Sequence, residues 1–338
     1  MTAAPAPLDD ARARIARRVE AAAERIALVG RATPVGYAAE VARLTAAARG
    51  RARGSPRFRY RAADGLDEIA RALDLALGDP AGRDDPELAA RIAEAQLELE
   101  IARAIDTPRL PALAARRFGS TPEDDARATR WSRLSASDDG ERRVVSDDRD
   151  DAHSLLSVLR RAIGSLRLPV RVVVREDLAA LAATGDGVVQ IAGRRLHTER
   201  QALRVAVHEI EGHVLPSLRR RAAGAPMRPA GDADLEEGRA LVAELRAGLL
   251  DRERRAELGR RHVAARMAHD GADLWQIVEA LEGLGERVDG AVRVASRALR
   301  GGGLGRERVY VGAYARARAL DAAEASRARQ DSNLRPGD

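Results

Sequence analysis

Apolar and alanine positions recur at helical spacing along most of this 338-residue chain. They mark one helical block over about residues 11–48, which the stretch GRARGSPR interrupts. A second block carries LDEIARALDLAL at 66–77 and PELAARIAEAQLELEIARAI at 86–105. In the latter, Leu88, Ile92, Leu97 and Ile101 form an amphipathic stripe, and Pro86 suits a first helical turn. The period then fades: residues 121–151 hold the acidic clusters PEDDA, SDDGE and SDDRDD with few large apolar side chains, as in an exposed connector with short helices at most. One more helix is expected at 155–166. After it PVRVVV (169–174) and GVVQIAG (187–193) gather β-branched residues between turn signals and read as strands. Residues 1–10 and 326–338 read as loose polar tails, and no 20–50-residue repeat is present. The segments are therefore a helical extension (1–54), a helical subdomain (55–120), the acidic connector (121–151), a larger region that holds the strands (152–325) and a disordered tail (326–338).

Within residues 152–325 the pattern carries chemistry. In LHTERQALRVAVHEIEGHVLPSL, Thr198 with Gln201 makes a capping box, so a helix starts near Glu199. Leu203, Val207, Ile210, Val214 and Leu218 fall on an apolar stripe, which should bury this helix with His208 and His213 near the core. The two histidines form H-E-x-x-x-H, one residue longer than the H-E-x-x-H of zinc proteases. On a regular helix five residues turn through about 500°, leaving the imidazoles roughly 140° apart. A π-bulge, at about 4.4 residues per turn, reduces that offset to roughly 50°. Gly212 is conformationally permissive and Pro216 cannot donate to the carbonyl of Gly212, so both disturb the turn that holds His213. The stretched motif is thus able to bind a metal.

Zinc in hydrolases takes three protein ligands and a water, commonly His, His and Glu. The acids of GDADLEEGRALVAEL supply the third: Glu236, Glu237 or Glu244, on a helix whose apolar side is Leu235, Leu241, Val242, Leu245 and Leu249. Glu237 follows His213 by 24 residues, enough for a loop and an antiparallel return. Glu209, beside the first histidine, is placed to be a general base. The other histidines, His153, His197, His262 and His269, stand among charges and read as surface residues, and GGGLG at 301–305 reads as a flexible loop.

Composition narrows the chemistry. The chain has no cysteine and no lysine, so thiolate ligands, cysteine nucleophiles, Schiff bases and the phosphate-loop lysine are excluded. Its 58 basic residues face 52 acids, a mixed surface of net charge +6, and aromatics at 2 % leave few stacking platforms for bases. Nucleic acid is not an expected partner. Without an apolar leader or a run of about 18 apolar residues, neither secretion nor membrane association is expected, and the cytoplasm is the expected compartment.

The order of motifs resembles the tyrosine carboxypeptidase-like metallopeptidases, whose pattern is HEIGTH, QEGL, R-x-x-R-G and Y-L-x-G. Here HEIEGHV stands at 208–214, EEGRA at 236–240, RALRGG at 297–302 and VYVGAY at 309–314. Upstream, RFRYRAADGLDEIARAL, LELEIARAIDT and RFGST are also similar, so the resemblance covers about residues 55–320. It implies a predominantly helical α+β fold, with a zincin-like catalytic unit carrying a small β-sheet. It implies one zinc ion per chain held by His208, His213 and Glu237, with Glu209 as catalytic base. The substrate implied is a peptide or protein C-terminus. Arg297 and Arg300, matching R-x-x-R-G, are the candidates for its carboxylate, and Tyr310 for the developing oxyanion. The family's Gly-Thr is replaced here by Glu211-Gly212, and its Gln and Leu by Glu236 and Arg239, so substrate preference does not carry over with the metal chemistry. HEIEGH and EEGRA are similar as well to the HELLGH and EECRA-type motifs of dipeptidyl peptidase III enzymes, but those chains are longer and separate their motifs more widely. The alternatives are therefore a dipeptidyl-peptidase activity and a non-enzymatic zinc scaffold or regulator. A purely structural site has no need of Glu209.

Overall fold

Helix formation follows the caps and punctuation of the chain. In the computed structural model, which describes residues 7–135, 140–176, 178–185 and 187–333, Asp85 accepts from the backbone of Glu87 and Leu88 at 2.9 and 3.0 Å. With Pro86 in the first turn, that cap opens the helix Pro86–Arg103. The helical block at the N-terminus resolves into Pro7–Ile26, Leu28–Arg31 and Tyr37–Arg49. Of the expected loose ends, residues 1–6 and 334–338 lie outside the described residues; Pro7 already opens a helix, and the last helix runs Val309–Asn333. The molecule is predominantly helical with two small sheets.

The chain divides into two compact units that interleave in sequence. The first comprises residues 1–119, 218–233 and 260–308. Here Pro7–Ile26 packs against Leu66–Gly78 and Pro86–Arg103, burying Ile15, Val19 and Ile26. A second core joins Leu44 to Leu274, Ile277, Val278 and Leu281 and to the small face Ala291, Val292 and Ala295. The glycines at 301–305 form a packed turn, where a flexible loop was expected. Gly301, Gly302, Gly303 and Gly305 have positive φ, Leu304 is buried, and the Gly301 carbonyl accepts from Asp106 N–H at 2.8 Å.

The second unit comprises residues 120–217, 234–259 and 309–338. The acids of PEDDA are the first turn of the helix Pro122–Ser132, which Thr121 and Asp124 close as a capping box. Acids belong at a helix N-terminus, where they face the positive end of the peptide dipoles. Among the described residues five strands follow: β1 (Arg143–Val145), β2 (Arg171–Arg175), β3 (Ala182–Gly185), β4 (Val188–Ala192) and β5 (Leu196–Thr198). β1 pairs antiparallel with β5; in the other sheet the order is β2-β4-β3, parallel between β2 and β4 and antiparallel between β3 and β4. β2 and β4 are the two strands expected from their β-branched runs. β1, β3 and β5 are too short, and β3 (AATG) too small in side chain, to show that signal.

Among the described residues, no helix is long and apolar enough to cross a membrane. The expected surface histidines divide. His197 and His262 are each 1 % exposed. His197 Nδ1 donates to the Thr198 carbonyl at 2.8 Å while Nε2 accepts from Leu155 N–H at 3.2 Å, so this ring ties β5 to the start of the helix Leu155–Ser165. A buried imidazole with both nitrogens satisfied is a structural joint.

Candidate metal centre

The helix Glu199–Glu209, hereafter the histidine helix, starts at its capping box: Gln201 N–H donates to Thr198 Oγ1 at 3.2 Å and Thr198 N–H to Gln201 Oε1 at 3.1 Å. It then widens. Ile210–Val214 is a π-helical turn in which Leu215 N–H reaches back five residues to the Ile210 carbonyl. The widened turn swings His213 back towards His208, and the two ring centroids lie 5.3 Å apart.

The buried face of this helix is only partly the expected one: Ile210 and Val214 of the apolar stripe are buried, while Val207 and Leu218 are half-buried. Leu203 is 41 % exposed, whereas Ala202, Ala206, Ile210, Gly212 and Val214 are buried. Small residues face inwards because another backbone comes close. A Cβ on Gly212 would stand 2.2 Å from Cβ and 2.9 Å from Cα of Ala240, on the helix Asp232–Arg246 (the glutamate helix). That helix is tightly met in turn at Gly238, where a Cβ would stand 2.1 Å from the carbonyl oxygen of Ala313. Both glycines are spacers that let three helices approach to backbone contact.

This approach brings the acids of the glutamate helix to the histidines. Glu237 Oε2 lies 3.3 Å from His208 Nε2 and 3.7 Å from His213 Nε2. One ligand atom from each of the three residues falls within 4.8 Å of the others. The other two acids stand behind the rings: Glu236 Oε2 is 3.9 Å from His213 Nδ1, and Glu244 Oε1 is 2.8 Å from His208 Nδ1. Four-coordinate zinc bonds N and O donors at about 2.0–2.2 Å, which sets donors roughly 3.3 Å apart, so the trio fits that ion in donor type and in spacing. The electrostatics agree. Burial alone would lower the pKa of His208, but the bonds to Glu237 and Glu244 outweigh it and raise the pKa to about 10. Burial likewise would raise Glu244, yet Arg254 and His208 hold its carboxyl below the usual range. The surroundings favour positive charge between these groups.

Glu209, 7 % exposed, accepts a hydrogen bond from the Thr184 hydroxyl at 2.7 Å, which ties it to β3. Tyr310 is 7 % exposed and packs with Tyr314, Leu241 and Val242 in one apolar cluster. Arg297 and Arg300 lie in the first unit, where both bond Glu307: Arg297 Nε at 2.5 Å and Arg300 Nη2 at 3.2 Å. Arg300 also donates to the Arg297 carbonyl at 3.1 Å and is 4 % exposed, while the Arg297 side chain is 25 % exposed. Sequence reasoning passed over Thr184 and Arg254. Neither sits in a motif; only the spacing of Glu244, two turns after Glu237 on one helix face, hinted at its place beside the histidines.

A family model described as microtubule-associated tyrosine carboxypeptidase matches residues 48–333 of the chain. No curated protein and no solved structure matches the chain.

Proposed function

The chain belongs to the microtubule-associated tyrosine carboxypeptidase family, and from that membership we propose that it is a cytoplasmic, zinc-dependent metallocarboxypeptidase hydrolysing C-terminal peptide bonds. The observation that carries the zinc reading is the convergence of His208, His213 and Glu237, with one ligand atom of each within 4.8 Å of the others. These three would hold the ion. When bound, zinc supplies Lewis acidity and lowers the pKa of a water to about 7.

The chain's own residues supply the rest. Glu209, oriented by Thr184, takes the proton of the attacking water as the oxygen joins the scissile carbonyl carbon, and gives it to the amine as the C–N bond breaks. Tyr310 is assigned to the oxyanion. Arg297, a quarter exposed, is assigned to the substrate carboxylate ahead of Arg300, which burial and Glu307 hold inside. Glu236 and Glu211, where the resembling pattern has uncharged residues, make the substrate preference this chain's own.

Metal analysis of purified protein, with peptides carrying free or amidated C-termini, tests the reading. One zinc per chain is expected, lost in His208→Ala, His213→Ala and Glu237→Ala. Release of the last residue from free but not amidated peptides is expected too, weakened in Arg297→Ala and Arg300→Ala. Equal cleavage of both peptide forms overturns the carboxypeptidase assignment, and release of N-terminal dipeptides replaces it with an aminopeptidase one.

A further inference from the structure

Glu244 is the deepest acid of the centre, with 0 % exposure, and it does not share the Nε2 side where Glu237 stands. Its Oε1 accepts from His208 Nδ1 at 2.8 Å and from Arg254 Nη2 at 3.1 Å, and its Oε2 accepts from Arg254 Nε at 3.0 Å. Arg254 thus grips both carboxylate oxygens with its planar fork. Its remaining Nη1 donates to Glu257 Oε2 at 2.8 Å, and Glu257 lies 3.7 Å from Arg204, itself 7 % exposed. The result is a line of alternating charge running from His208 through Glu244, Arg254 and Glu257 to Arg204.

A line of this kind has a chemical consequence at its end. A carboxylate only accepts, so the nitrogen facing Glu244 must carry a proton, and a neutral His208 is fixed with Nδ1 protonated and the Nε2 lone pair bare. The ring plane is fixed as well, because Glu244 cannot turn while Arg254 holds both its oxygens. Without Arg254 the buried carboxylate would lose the fork that holds both its oxygens and could turn away from Nδ1.

We infer that Glu244 and Arg254 are positioning residues of the proposed zinc centre: Glu244 sets the tautomer and plane of His208, and Arg254 acts through Glu244. The inference rests on the zinc reading above. Partners of this kind, standing behind a ligating histidine, typically change metal affinity by about 10–100-fold.

Zinc affinity measured by chelator competition tests it, alongside the melting temperature of the metal-free protein. Glu244→Ala is expected to weaken zinc about 10–100-fold and Arg254→Met by less, while Arg254→Lys, which keeps the charge but not the fork, falls between Arg254→Met and wild type. The double variant Glu244→Ala/Arg254→Met should bind no worse than Glu244→Ala alone, since Arg254 has no other route to the ion. Additive losses would overturn that route, and wild-type affinity in folded Glu244→Ala or Arg254→Met would overturn the inference. Should those variants not fold, 15N shifts of the zinc-loaded wild type decide: His208 protonated at Nδ1 upholds it, and protonation at Nε2 overturns it. If instead wild type binds no more zinc than His208→Ala, the zinc reading itself has failed; a wild type that binds while the Glu244 and Arg254 variants are unaffected sinks only the positioning role.

Discussion

At the scale of single residues, Glu209 and Thr184 are the pair whose roles separate most cleanly. Glu209 follows His208 in the chain, and its carboxylate accepts from the Thr184 hydroxyl at 2.7 Å. Glu209→Gln keeps size and shape but cannot take the water's proton. It should retain one zinc per chain and lose hydrolysis by about 10²–10⁴-fold, read from zinc content and turnover on the same preparation. Thr184→Val removes one hydrogen bond to that carboxylate, which should lower kcat roughly tenfold with KM nearly unchanged. A Glu209→Gln enzyme of full activity would remove the proposed base. Full activity in Thr184→Val would leave the base and remove its orientation by β3.

At the scale of elements, the centre depends on two helices meeting at glycine. The π-turn Ile210–Val214 could be anticipated, because H-E-x-x-x-H needs it and Gly212 and Pro216 permit it. What the pattern did not show is that Gly212 faces Ala240 and Gly238 faces Ala313, backbone against backbone. A methyl group at either place overlaps main-chain atoms that have no flexible end to move aside. Gly212→Ala and Gly238→Ala should each destabilise the protein by at least about 1–3 kcal/mol, seen as a lower urea midpoint with an unchanged slope. Gly212→Ala should also separate His208 and His213 from Glu237 and weaken zinc. Gly164→Ala, where a Cβ would meet nothing within 4 Å, is the control and should melt like wild type.

At the scale of the whole molecule, the first unit extends beyond the part that carries the family likeness, which begins at residue 48. Its first helix, Pro7–Ile26, buries Ile15, Val19 and Ile26 at 2, 1 and 0 % exposure. At about 1.5–3 kcal/mol each, these three side chains alone are comparable to the net stability of a domain. Deleting residues 1–31 should leave the first unit open to protease where the full chain resists, so equal resistance would show the helix to be an ornament. The same unit carries an acid-sensitive joint. Burial alone would raise the Glu307 carboxyl, but Arg297, Arg300 and Arg261 outweigh it and bring it from an ordinary 4.5 down to about 2. A folded-state pKa below the unfolded one stabilises at neutral pH, and that stability is lost as pH falls from about 4.5 through 2. Glu307→Gln should cost about 3–5 kcal/mol at pH 7 and much less near pH 2, measured by urea unfolding at both.

Whatever is local was legible along the chain. The capping box at Thr198, Pro86 in a first helical turn, the β-branched runs of β2 and β4, and the order of the H-E-x-x-x-H and E-E-G motifs all follow from neighbours along the chain. The widened turn belongs here too, since its cause lies within five residues. Tertiary structure alone decided the rest. Which of Glu236, Glu237 and Glu244 faces both Nε2 atoms depends on how the glutamate helix is rotated, and Ala240 packing on Gly212 sets that rotation. Leu203 was expected inside because the periodicity counts apolar residues; it lies outside because close helix packing selects small ones. Thr184 and the buried His197 are each assigned by a partner remote in sequence, and Arg254 by Glu244 on the preceding helix. A hydrogen bond across the fold leaves no period in the chain, so only the folded molecule reveals it.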